Sequence, residues 1–91
     1  MADGERIEVT SLTMTCSACP SQWEGLLDDG RVLYCRYRWG TLEIGVGETL
    51  TEAVRNRNWC RTLGDAYHGV MSEDELLPHL GEFLAALEAT P

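Results

Sequence analysis

Cys16 and Cys19, separated by Ser17 and Ala18, are the one pair in this chain whose types and spacing suit joint chemistry. Two thiolates so placed can grip a metal, close a disulfide or act as a redox dithiol. A structural zinc needs four ligands. The remaining donors are Cys35, Cys60, His68 and His79. Cys60 and His68 fall in a segment, Trp59 to Val70, that reads as a loop able to fold back on the first pair. Cys16, Cys19, Cys60 and His68 are therefore the best metal set. Cys35 alternates with apolar positions and is expected to be a small buried hydrophobe. His79 falls on the polar side of a helical segment and is expected to meet solvent. Redox chemistry needs the first cysteine at a helix start, where the dipole lowers its pKa. The residues after Cys19 read instead as a strand.

Other reaction templates are missing. There is no Gly-rich phosphate loop, no Gly-x-Ser-x-Gly and no His-Glu-x-x-His. Asp28-Asp29 belongs to a turn and Glu73-Asp74-Glu75 to a helix start. No catalytic residue and no cofactor is expected, with zinc as the alternative.

The charges form the second chemical feature. The net charge is −8, and all seven basic residues are arginines, the last of them Arg61. From Thr62 onward six acids stand without an Arg or Lys. Phosphate backbones repel such a surface, which argues against nucleic-acid binding. An acidic face suits a basic protein partner, or simply solubility. No apolar run approaches the roughly 20 residues of a membrane span. The start, Met1 to Arg6, is polar, so no signal peptide is expected and the chain reads as cytoplasmic, with reduced cysteines.

The elements that must position these residues follow from periodicity and punctuation. Arg6 to Met14 alternates imperfectly, with an irregularity at Ser11, and reads as a strand; Thr15 to Pro20 reads as a loop. Ser21 to Leu27 is a strand, and Asp28-Asp29-Gly30 a hairpin turn. Arg31 to Trp39 has the cleanest period of two. Gly40-Thr41 turns into Leu42 to Val46. Leu33, Cys35, Tyr37 and Trp39 share one face of this meander with Trp23, Leu27, Leu42 and Ile44. The opposite face offers Tyr34, Arg36 and Arg38, with Glu24 and Glu43 on neighbouring strands. Thr49-x-x-Glu52 and Ser72-x-x-Glu75 are capping boxes that open two helices. The second carries Leu76, Leu77, Leu80, Phe83, Leu84 and Leu87 at helical spacing, with Pro78 as a kink or a restart. The fold expected over residues 1–91 is a single α+β domain. A small, mainly antiparallel sheet, a three-stranded meander plus an N-terminal strand, is covered by two helices.

Two resemblances add context. Ile7-x-Val9 and Met14-Thr15-Cys16-x-x-Cys19 resemble the metal loop in the heavy-metal-associated domain of copper chaperones. That likeness implies Cu(I) held by Cys16 and Cys19, with a helix following. More of the chain is covered by Cys19-Pro20-x-Gln22-Trp23-Glu24-Gly25, Asp29-Gly30-Arg31 and Tyr34-x-Arg36-Tyr37-Arg38-x-Gly40. This pattern is similar to small uncharacterised proteins of high-GC actinobacteria and their phages. It implies an accessory protein that acts by touching a larger partner. The combined expectation is a non-enzymatic protein-binding module that modulates a host protein. Its contact residues would be Tyr34, Arg36 and Arg38 on the sheet and Glu73, Asp74, Glu75 and Glu82 on the last helix. A homodimer through that helix is the alternative assembly.

Overall fold

The computed structural model describes residues 7–17, 20–64 and 70–89. Five strands form one antiparallel sheet in sequence order: β1 (Val9–Ser17), β2 (Ser21–Leu27), β3 (Val32–Arg38), β4 (Thr41–Gly47) and β5 (Trp59–Thr62). Helix α1 (Leu50–Arg55) joins β4 to β5, and α2 (Glu73–Ala89) ends the described chain. Every connection in the sheet joins neighbours, so each strand pairs with the next one formed.

The meander is where the alternation put it, and it has one strand more than expected. Trp59–Thr62, read as the start of a loop, pairs with Thr41–Ile44 as β5. Four residues carry too little pattern to announce a strand, and the partner that stabilises them is remote in sequence. Residues 65–69 of the expected loop lie outside the described residues. Strand β1 also runs further than expected, through Cys16 and Ser17, with register shifts at Val9/Ser11 and Met14/Cys16. The first shift is the irregularity expected at Ser11. Such bulges twist an edge strand away from unwanted pairing.

The core lies between the sheet and α2. Trp23, Leu27, Leu33, Cys35, Tyr37, Leu42 and Ile44 point to one face and meet Met71, Leu76, Leu80 and Phe83. Trp59 closes the β5 end of this layer edge-on to Phe83, with ring centroids 6.0 Å apart. Ser21, fully buried, donates to the Ser17 carbonyl at 2.7 Å and accepts from the Met71 N–H at 3.0 Å. That hydroxyl ties the first hairpin to the approach of α2. Pro78 sits within a continuous α2; the helix holds because Leu76, Leu80 and Phe83 are anchored on both sides of it.

The Ser72 capping box forms in full and the Thr49 box in half, its Glu52 carboxylate accepting from the Glu48 N–H at 2.9 Å. Thr49 Oγ1 accepts from the Glu52 N–H at 3.2 Å. Ser72 and Glu75 exchange bonds reciprocally, at 3.2 and 2.8 Å. The two helices do not cover the same face, however. Gly45 and Gly47 alternate with the core residues Ile44 and Val46 on β4, so they face the other way, and α1 rests on them. A Cβ at Gly45 would strike the Ala53 carbonyl oxygen. Glycine at both positions lets the helix backbone lie directly on the strand.

Candidate functional site

Helix α1 covers only one end of the second sheet face. Tyr34 lies under it, 7% exposed, with the Arg57 guanidinium 5.9 Å from its ring centre. This corrects the expectation of an exposed Tyr34. The cause is the pair of glycines opposite, which admit the helix where other side chains would have kept it off. Burial raises the Tyr34 phenol above its ordinary pKa, against the pull of the Arg36 and Arg57 charges.

Beyond α1 the face is open. Arg36, Arg38, Trp39, Thr41, Glu43 and Arg57 line a hollow of about 340 Å³. Arg57, just past α1, donates to Glu43 Oε1 at 2.9 Å and, through Nε, to the Val54 carbonyl at 2.7 Å. Arg36 lies opposite Glu43 in the β3–β4 register. Glu43 is bonded to Arg57 through Oε1, and it forms no hydrogen bond or ion pair with Arg36. The Arg36 Nε–H is shut off from solvent and meets no acceptor among the described residues. A buried donor left in this state costs about 1–3 kcal/mol.

Trp39 was expected on the core face. It instead forms the β3–β4 turn with Gly40, since Arg38 pairs directly with Thr41. Both turn residues have positive φ, 55° at Trp39 and 72° at Gly40. Tight two-residue hairpins need this backbone to match the strand twist. Glycine adopts it freely; a side chain there costs about 1–2 kcal/mol. The turn swings the indole off the strand's alternation, leaving it 61% exposed. The Arg38 guanidinium lies 4.9 Å from its ring centre. The dipeptide Trp39-Gly40 before a clean strand was the available signal for this placement. Nothing in the sequence announced Arg57, which arrives from beyond α1.

The acids of α2 stand on the other side of the molecule. Glu73, Asp74, Glu75 and Glu82 are exposed, with Glu75 committed to its cap and Glu82 3.8 Å from His79. His79 is half-buried rather than fully solvated. The two sets of contact residues therefore lie on opposite sides of the sheet.

The cysteines are dispersed. Cys16, Gln22, Arg36, Glu43 and Cys60 form one row across the sheet, with the two cysteines at its opposite ends. Four strand spacings separate them, about 19 Å across the sheet. Cys19 and His68 lie outside the described residues. Among the described residues no three His, Cys, Asp or Glu side chains gather as a metal site. Strand β2 follows the cysteine pair, where the copper-chaperone likeness implies a helix. Cys35 is wholly buried, and burial pushes its thiol up to about 12. Among the described residues no helix is long and apolar enough to cross a membrane.

No protein family matches the chain, and no curated protein or solved structure is detectably similar to it.

Proposed function

We propose that this chain is a non-enzymatic protein-binding module whose main contact surface is the open end of the arginine face, Arg36, Arg38 and Trp39. The supporting observation is Trp39. A large aromatic residue occupies a left-handed turn position that glycine fills without strain, and it is exposed there. Strain of this kind concentrates where the backbone serves binding. Trp and Arg are also the residue types that dominate interface energetics. The acidic outer surface of α2, with Glu73, Asp74 and Glu82, serves as a second contact on the far side. The likeness to small actinobacterial and phage proteins favours an accessory role in which a larger host protein is the target.

The test is affinity capture from a bacterial extract with three variants beside the wild type. These are Trp39→Gly, Arg36→Glu with Arg38→Glu, and Glu73→Arg with Asp74→Arg. The expected result is a defined set of proteins lost with the first two variants, at unchanged thermal unfolding for the charge reversals. Capture that survives reversal on both faces removes the reading.

A further inference from the structure

We infer that the hollow beside Trp39 receives a carboxylate from an acidic segment of a partner protein, an inference that rests on the protein-binding reading above. The chain has 15 acids and 7 bases, so carboxylates are abundant. Arg31 is paired with Asp29, and Arg57 with Glu43. Arg36 and Arg38, two residues apart on one face of β3, have no carboxylate partner among the described residues. In a chain with twice as many acids as bases, two adjacent guanidiniums left unpaired form a local surplus of positive charge.

The shape of the hollow selects among anions. A guanidinium presents a planar fork that matches a carboxylate with two parallel hydrogen bonds. On the same wall the Arg57 guanidinium already holds a carboxylate, that of Glu43, through one bond of 2.9 Å. Glu43 also lines the hollow and repels the higher charge of a phosphate. The Trp39 indole supplies an apolar wall for the stem of a glutamate or for a neighbouring apolar residue. Thr41 adds a hydroxyl at the rim. The occupant that fits is thus an acidic peptide with interspersed apolar residues. A second copy of this chain fits less well. The acids of α2 stand on the far side of the sheet, so a contact made through them is head-to-tail and does not close. Two bodies of charge −8 also repel.

The test is a two-dimensional ¹H–¹⁵N NMR titration with a short capped Glu/Leu peptide, read at the Arg36 and Arg38 Nε–H and the Trp39 indole N–H. Its controls are the matching Lys/Leu peptide and inorganic phosphate. Saturating shifts at these three groups are expected with the acidic peptide alone. Affinity should fall about tenfold or more in Arg36→Gln/Arg38→Gln, the loss expected for charge-assisted hydrogen bonds. Equal affinity in that variant, equal binding of phosphate, or no shifts at millimolar peptide would overturn the inference. So would self-association in sedimentation that Arg36→Gln/Arg38→Gln abolishes, because the occupant would then be a second copy. Absent peptide binding together with Trp39-dependent capture from extract removes this inference and leaves the protein-binding reading standing.

Discussion

On the α2 side of the sheet, the large side chains from Trp23 to Ile44 find apolar neighbours, and the polar Ser21 both donates and accepts. On the other side α1 covers only the Tyr34–Gly45–Gly47 end, leaving Arg36, Arg38 and Trp39 around an open hollow. The two hairpin tips of β3 show the same contrast. At the β2–β3 turn the positive φ of 90° falls on Gly30, and Asp29 pairs with Arg31 at 2.8 Å. At the β3–β4 turn the first positive φ falls on Trp39. The covered face departs from the rules that stabilise a fold at the Trp23 indole N–H, and the Gly30 turn does not depart from them. On the other face the unpartnered Arg36 Nε–H and the left-handed Trp39 fall together, within one small region. Departures that cluster in space are where binding is best sought.

The largest effects are expected on the covered face. Trp23→Ala should lower stability by about 3–5 kcal/mol, the range for emptying a large core site, seen as a lower urea midpoint. Trp23→Phe should cost much less, because it also removes an indole N–H that meets no acceptor among the described residues. A Trp23→Ala cost below that of exposed-site changes would mean that the α2 layer is not the main core.

Gly45→Ala comes next and tests the packing of α1. The added Cβ meets backbone, the Ala53 carbonyl, which cannot swing aside as a side chain can. A loss of about 1–3 kcal/mol is expected, as for overpacking, together with greater solvent exposure of Tyr34. Neutral behaviour would show that α1 lifts easily from the sheet.

Trp39→Gly should act in the opposite direction. Relief of the left-handed strain should raise stability by about 1 kcal/mol, while partner capture is lost. Destabilisation instead would make Trp39 a packing residue and erase the contrast between the two turns.

The smallest effect at neutral pH concerns Cys35. Its thiol keeps its proton in the folded state up to about pH 12, whereas the unfolded thiol releases it near 9.0. The unfolded chain therefore binds fewer protons between these values, and stability falls as pH rises through that window. Below pH 9 this contribution is fully present and constant. Tyr34, whose pKa is also raised by burial, acts in the same direction. Cys35→Ala should flatten the alkaline loss of stability without abolishing it. A thiol reagent at neutral pH should modify the exposed Cys60 in the folded protein and spare Cys35. An unchanged alkaline slope in the variant would contradict the burial of this thiol.

Short-range rules carried much of the architecture. The period of two from Val32 to Arg38, the Asp29-Gly30 turn and the boxes at Thr49 and Ser72 each depend on contacts within a few residues, so they were legible in the chain. So was the inward set of Trp23, Leu33, Cys35 and Tyr37, because alternation on a strand fixes its faces. The sequence alone also determined the one-sided charge of the last thirty residues, since no fold can supply an arginine or lysine where none is encoded. Tertiary structure decided the rest. β5 exists because β4 offers it a partner. Tyr34 is buried because Gly45, its partner on β4, and Gly47 admit α1. Cys16 and Cys60 end up on opposite edges because strand order follows from pairing along the whole sheet. The hollow with Arg36, Arg38, Trp39 and Arg57 joins a strand, a turn and the exit of a helix. Its parts come together only through the register of β3 on β4 and the placement of α1, which involve contacts distant in sequence that no local pattern encodes.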